Sequence, residues 1–468
     1  MKIVLFHYHL KPGGVTTVIK HQVSALKDVC EVLIITGENP PEKFHPNIKV
    51  VPELAYTKKN YSNPGYLKIT TKIIAAILEK WPEGCDVFHA HNPTLAKNKY
   101  TIQILKELQK KGINLFLQIH DFAEDGRPQA YSKEEYPLNC HYGVINSRDY
   151  NILLKTGLTS SGLHKIPNII TPLKVKTNNR ENHLLLYPVR AIRRKNLGEA
   201  ILLSLFLETK DYLGISLPAS SEADMQSYSD WKEFVLKNEL KVSFELGLSR
   251  NFLDIVAQAK MIITTSITEG FGFTFLEPWT ADKQLFGRLL PDICQDFIEE
   301  GINLSNLYSE FSIPLELIDV KSFFKRWQSC ILDRTSAFNL NLSEKKIISG
   351  FNSLTKNQKI DMGFLDEIAQ KEVIGKILKN RKLLETIKFL NPYLDLLKEP
   401  NPKTKLIEEN KEIIFNNYTE KQYKKRLLNI YRSVTTSQVS QKINKKQLLK
   451  EFLNPLSFKL LKWGSADA

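Results

Sequence analysis

The sequence predicts two doubly wound α/β domains, joined by a short polar linker and followed by a mainly helical region. Three observations carry that prediction. Short apolar runs alternate with helix-period segments over residues 1–173. The alternation restarts after the polar stretch KVKTNNRENH at 174–183. Beyond residue 300 the strand signal fades, and residues 318–435 read as helical and lysine-rich. Strands separated by helices imply right-handed parallel crossovers with helices on both sheet faces.

The first domain opens with an apolar run, Lys2 to Tyr8, short enough for a buried strand. Pro12-Gly13-Gly14 breaks it, and Val15, Val18, Ile19, Val23 and Leu26 then share one helical face. Further strands are expected at 31–36, 48–51, 86–91, 115–120 and 142–147, with helices at 66–80, 96–111 and 148–156. Pro172 and the polar stretch after it mark the domain boundary. The second domain is expected to run HLLLYPVR (183–190), a helix from about 197, YLGISL (212–217), a helix near 224–239, KVSFEL (241–246), a helix near 250–258 and KMIITTS (260–266). A weak break falls at Pro400 and Pro402. The expected division is 1–173, 183–410, a returning helix within 411–440 and a basic amphipathic tail at 441–468.

At 468 residues the chain is too long for one ordinary core. A hydrophobic share of 42% and a charged share of 25% exclude a disordered chain and a disulfide miniprotein. No run of roughly 18 apolar residues suggests a transmembrane helix. The opening MKIVLFHYHLKPGG reads as a first strand, not a secretory leader. The five scattered cysteines read as reduced thiols of a cytoplasmic protein. The net charge is +14, and residues 401–468 alone carry 14 basic and 6 acidic side chains. Such a balance suits a phosphate-bearing ligand, an anionic membrane or nucleic acid.

Ligands of doubly wound sheets bind at the carboxyl ends of the strands. Gly13 and Gly14 lie at such an end and open a helix, where backbone amides suit a phosphate. Arg190 ends a strand, followed by Arg193, Arg194, Lys195 and Asn196, the last expected to cap a helix. Four clustered cations are more comfortable with an anion among them; the alternative is a solvated basic turn. Thr268 to Glu277 reads TEGFGFTFLE, with Glu269 at a strand end and Glu277 about two turns into a helix. Carboxylates there can accept sugar and ribose hydroxyls, and the intervening amides can hold a phosphate. The plainer reading is a glycine-bearing loop with two ordinary glutamates. His7 and His9, and His89 and His91, each share a strand face, but no thiolate or carboxylate completes a metal site.

These residues resemble the retaining nucleotide-sugar glycosyltransferases of family 4. Glu269 and Glu277 have that family's Glu-x7-Glu spacing with Gly-Phe-Gly inside it. Arg190 and Lys195 match its Arg-x4-Lys pair, Gly13-Gly14-Val15 its N-terminal loop, and His120-Asp121 its His-Asp pair. DVFHAHN (86–92) is similar to its Asp-x-x-His-x-His segment. The resemblance covers about residues 1–290, in the right order, and implies the GT-B fold of two facing Rossmann-like domains. Residues 418–434 resemble the helix with which that fold returns to its first domain. FGRLLPDI (286–293) departs from the family's glycine-rich segment with an acidic residue.

The resemblance implies retaining, metal-independent transfer of a hexosyl group from a nucleotide sugar, such as UDP-glucose or GDP-mannose, to an acceptor hydroxyl. It assigns His120 and Glu269 as catalytic. It assigns Gly13, Gly14, Arg190, Lys195, Gly270, Phe271, Gly272, Phe273, Thr274 and Glu277 to the donor. Asn92, Asp121, Glu124 and Arg127 are the expected acceptor residues, with Arg127 either binding an acceptor anion or pairing with Glu124 or Asp125. No other cofactor and no nucleic-acid partner are expected. A sugar phosphorylase or synthase of the same fold is the enzymatic alternative, and a basic membrane- or nucleic-acid-binding protein the non-enzymatic one. The tail at 441–468 carries six lysines beside an apolar helical face. It reads either as a docked helix or as an interfacial anchor placing the protein at the inner membrane face. Because every expected site residue precedes position 280, a chain ending at Ser440 is expected to keep its activity.

Overall fold

Seven parallel strands build the first sheet: β1 (Lys2–His7), β2 (Glu31–Thr36), β3 (Ile48–Val50), β4 (Val87–His91), β5 (Leu115–Ile119), β6 (His141–Val144) and β7 (Leu163–Lys165). Their order is β3-β2-β1-β4-β5-β6-β7, so the winding direction reverses between β1 and β4. The structure, a computed structural model, describes residues 1–42, 44–57, 65–175, 183–398 and 404–464. The chain divides into two compact units, 1–169 with 417–452, and 170–416 with 453–468.

In the first unit the inner strands are buried along their length, which is why they read as unbroken apolar runs. Helix Tyr66–Lys80 matches its expected span, and helices Gly14–Leu26, Thr101–Lys110 and Ser147–Lys155 lie where the periodicity placed them. β7 was not anticipated, because three residues carry no period. Helix Glu420–Thr436 completes this unit. Thr419 caps it, and its Tyr423, Leu427, Ile430, Tyr431 and Val434 join the core of Ile3, Leu5, Ile19 and Phe116. Burial of each such side chain contributes about 1.5–3 kcal/mol.

The second unit holds a five-stranded parallel sheet of β8 (Leu184–Arg190), β9 (Tyr212–Leu217), β10 (Val242–Ser243), β11 (Ala259–Thr264) and β12 (Leu285–Gly287), ordered β10-β9-β8-β11-β12. The reversal lies between β8 and β11. The strand expected at 241–246 shrinks to two residues, because Glu245 turns left-handed (φ 63°) and a short helix begins at Leu246. Helices Val320–Ala337, Glu344–Leu354, Glu367–Lys379, Leu383–Leu390 and Thr404–Asn417 follow, with a small antiparallel pair, β13 (Ser312–Pro314) and β14 (Lys359–Asp361).

The boundaries differ from expectation at both ends of the second unit. Residues 170–173 belong to it, since the Leu173 amide donates to Thr280 Oγ1 at 3.0 Å. Residues 411–416 belong to it too, where Lys411 pairs with Asp282 at 2.6 Å. Most of the predicted linker and the break at Pro400 and Pro402 lie outside the described residues.

The tail is divided between the units. In the first, Gln441 donates to the carbonyls of Cys140 and Gly162, and Leu448, Leu449 and Phe452 are buried. In the second, Phe458 and Trp463 are buried, and Trp327 donates to the Phe458 carbonyl at 3.2 Å. The apolar face proposed for a bilayer is therefore covered by protein, which favours the docked reading. A chain ending at Ser440, expected to keep its activity, would lose these buried contacts. Among the described residues no helix is long and apolar enough to cross a membrane.

Candidate active site

In the second unit, β8 and β11 are neighbours, and both run into the loops singled out by sequence. After β8 comes a tight turn, Arg193–Lys195, ended by Asn196 in a left-handed conformation (φ 54°). Asn196 does not cap the next helix with its side chain, as expected, but donates to Glu199 Oε2 at 2.8 Å and accepts from Gln370 Nε2 at 2.7 Å. After β11 the chain passes Glu269 and turns at Gly272 (φ 94°), where a Cβ would stand 2.9 Å from the Phe275 ring. Glu277 begins a short helix, Glu277–Thr280, and does not lie two turns within one.

These loops line a hollow of about 200 Å3. Lys195, Glu269, Phe273, Thr274 and Glu277 line it, with Pro188 and Val189 of β8 and Phe252 forming apolar walls. The Lys195 ammonium pairs with the Glu269 carboxylate, both mostly buried. The Thr274 hydroxyl is buried and has no hydrogen-bond partner among the described residues. Burial pushes the Glu277 carboxyl up to about 7, with no cation beside it among the described residues to restore the charge. Two polar groups thus face the hollow unsatisfied. Arg190 is exposed at the end of β8 and does not line the hollow. Phe271 is buried against Phe273 and Phe297, so its side chain serves packing. Gly270 is present in the loop through its backbone alone.

In the first unit the ends of β1, β4 and β5 carry a stack of histidines. His89 lies over His91 at 4.4 Å between ring centroids, and His91 over His120 at 5.2 Å. The proton positions follow from a chain of donors. Gln118 Oε1 accepts from both His89 Nε2 and Gln22 Nε2, each at 2.9 Å. The other end of the Gln22 amide, Oε1, then accepts from His91 Nε2 at 3.0 Å. Neutral His91 is left with Nδ1 as an acceptor, which takes the Nε2 proton of His120 at 2.9 Å. His120 therefore keeps a free lone pair on Nδ1. Burial holds His7 and His89 down at about 3 and His120 at about 4, so these rings are neutral near pH 7.

The expected acceptor residues separate into two kinds. Asn92 Oδ1 accepts the main-chain amides of His120 (2.7 Å) and Asp121 (3.0 Å), so it fixes the strand end. Glu124 is fully buried, accepts from the Tyr136 hydroxyl at 2.8 Å, and has no exposed atom to offer an acceptor. Asp121 and Arg127 are partly exposed and pair at 2.8 Å, a partner for Arg127 that the sequence reading did not choose. Gly13 and Gly14 are exposed; Gly13 is extended (φ 165°), and a Cβ on Gly14 would meet nothing within 4 Å. No packing demands glycine there.

Sequence reading missed Gln22 and Gln118, which set the histidine tautomers. The available signal was a polar residue on the buried face of the first helix, between Ile19 and Leu26. It also missed the role of the divergent segment at 286–293. Arg288 is buried and donates to both Glu199 oxygens (3.0 and 2.5 Å) and both Asp361 oxygens (2.8 and 2.6 Å). Among the described residues no group of three or more His, Cys, Asp or Glu is arranged to hold a metal ion.

Two doubly wound units, each with polar residues at its switch point, define the GT-B class of fold. Solved structures agree. A glycosyltransferase from Rickettsia africae superposes with a TM-score of 0.53 at 14% identity, over 93% of this chain and 99% of that one. Anabaena HepE, solved with UDP and glucose, gives 0.52 at 12% identity over 92% and 98%. Sucrose-phosphate synthase from Thermosynechococcus elongatus gives 0.51 at 13% over 92% and 98%. No protein-family profile matches the chain. By sequence it is similar to the mannosylglucosyl-3-phosphoglycerate synthase of Petrotoga mobilis, 25% identical over 515 aligned positions that cover 98% of this chain and 99% of that one.

Proposed function

We propose that the chain is a retaining, metal-independent glycosyltransferase of the family 4 type, using a nucleoside-diphosphate sugar as donor. The observation that carries this reading is the hollow beside β8 and β11, where Lys195 and Glu269 pair and Thr274 and Glu277 lack partners. A nucleotide sugar supplies what each group needs. Its ribose diol donates to the Glu277 carboxylate, and its diphosphate accepts from the Thr274 hydroxyl and the loop amides. Lys195 and the exposed Arg190 neutralise the leaving diphosphate. Glu269 accepts hydroxyls of the sugar. Gly13 and Gly14 leave room for a phosphate against the backbone.

In the reaction the bond from the anomeric carbon to the diphosphate oxygen breaks, and the bond to the acceptor oxygen forms on the same face. The acceptor proton passes to the departing phosphate. His120, neutral, offers its Nδ1 lone pair to a sugar hydroxyl and charges no proton at physiological pH. The partly exposed Asp121 and Arg127 are the acceptor-side residues. The full-length relative is named for making mannosylglucosyl-3-phosphoglycerate, so an anionic glyceryl glycoside is the first acceptor class to try.

The test is a transfer assay with GDP-mannose and UDP-glucose against glucosyl-3-phosphoglycerate and simple sugar acceptors. A glycoside with the donor's anomeric configuration, formed in the presence of chelator, is expected. An inverted linkage, or activity lost to chelator and restored by manganese, would overturn the corresponding part.

A further inference from the structure

We propose that the second unit contains a phosphate-monoester site separate from the donor hollow. Arg193, Arg326 and Arg334 converge on a second cavity of about 320 Å3, which Asp333, Asp366 and Gly464 also line. Two of the arginines are matched by carboxylates. Arg326 forks onto Asp366 at 2.5 and 3.0 Å, and Arg193 Nε lies 3.4 Å from Glu367. Arg334 is different. Only 6% of it is exposed and no carboxylate pairs with it among the described residues; its Nε, like that of Arg193, is buried without a hydrogen bond. Its Nη2 donates to the Gly464 carbonyl at 2.5 Å, and its side chain also hydrogen-bonds the Cys330 thiol. Asp333 is exposed, and its carboxylate accepts from the Ser329 hydroxyl at 3.5 Å.

A buried guanidinium without a counter-ion among the described residues is costly, and an anion from outside the chain would relieve that cost. The planar fork of arginine matches a phosphate, and Arg334 offers a guanidinium that no described carboxylate takes. The space exceeds a bare phosphate and admits the organic part of an ester. This is not the donor site: Arg193 faces this cavity and Lys195, two residues on, faces the other. Asn196, tied to Gln370 and Glu199, closes the turn that carries both. Occupancy of the second cavity is thereby felt at Lys195, a regulatory consequence that rests on the function proposed above.

Calorimetric titration of the full chain with inorganic phosphate and with glucose 6-phosphate tests the site. One saturable event is expected that persists in saturating UDP. Tighter binding of the sugar phosphate would assign an ester, and tighter binding of inorganic phosphate the free ion. Arg334→Leu should weaken it roughly ten-fold or more, the size of a lost charge-assisted bond. Arg193→Gln, at the cavity edge, should weaken it as well and guards against a folding defect in the first variant. No binding, displacement by UDP, or affinity unchanged in both variants would overturn the site. Saturating phosphate should shift the UDP affinity at least two-fold, and an unchanged value would overturn the coupling. A chain that binds phosphate but no nucleotide would sink the proposed function and leave the site standing.

Discussion

Lys195 and Glu269 are 74 residues apart in sequence, yet their ammonium and carboxylate are in contact where β8 and β11 end side by side. The pair holds a cation and a hydrogen-bond acceptor at one wall of the hollow. On the function proposed above, a donor inserted there would meet both a phosphate partner and a sugar partner.

Lys195→Ala removes the cation and leaves Glu269 unpaired. A charge-assisted contact is worth about 1.5–3 kcal/mol, so donor affinity or transfer rate should fall roughly ten- to hundred-fold. Steady-state kinetics checks it, and unchanged constants would remove Lys195 from the diphosphate.

Donor binding should tighten as pH rises. Ribose hydroxyls donate to ionised Glu277, whose carboxyl titrates at about 7. The competent fraction therefore rises about ten-fold between pH 6 and 8. A nucleotide sugar is the right probe, because its diphosphate does not titrate there. Glu277→Gln should flatten the affinity profile, and a steep profile in that variant would assign the titration elsewhere.

The histidine stack should make the first unit acid-labile. His7, His89 and His120 have folded values near 3, 3 and 4, below the ordinary 6.5. Between those limits the unfolded chain binds more protons, so stability falls as pH drops below about 6.5. At pH 5 each ring costs about 2 kcal/mol. Melting curves from pH 7 to 5 should show this, with a smaller slope in His89→Gln. A flat profile would mean that the folded rings titrate like those of the unfolded chain.

Gln22→Leu removes the acceptor that orients His91 and, through it, His120. The His120 proton should then distribute over both ring nitrogens, visible as changed ¹⁵N shifts. Turnover should drop several-fold, near the ~1 kcal/mol of one hydrogen bond, while nucleotide affinity holds. Unaltered nitrogen shifts would show that Gln22 does not set the tautomer.

Ending the chain at Ser440 should lower the melting temperature or abolish soluble expression. It uncovers the surfaces that Leu448 and Phe452 pack against in the first unit, and those of Phe458 and Trp463 in the second. Full stability in the truncated chain would refute the docked reading, and liposome flotation would then be the next measurement.

The alternation of strand and helix was legible because it is local. Buried strands need consecutive apolar residues, helices need a 3.6-residue period, and both leave their mark within a dozen positions. Lys195, Glu269 and Glu277, which line the hollow, stood out in the sequence for a related reason: each follows a strand, and strand ends are where this architecture binds ligands. Three-residue strands such as β7 and β12 were too short to leave a period. What only the tertiary structure decided depends on groups brought together from far apart. Glu124 is charged in sequence and sealed inside the fold. Arg127 takes Asp121, not its nearer acidic neighbours. Arg288 finds Glu199 and Asp361, 89 and 73 residues away, and Arg334 finds no carboxylate among the described residues. A charged residue looks the same in a sequence whether water, a partner or nothing surrounds it; burial and pairing are properties of the packed chain.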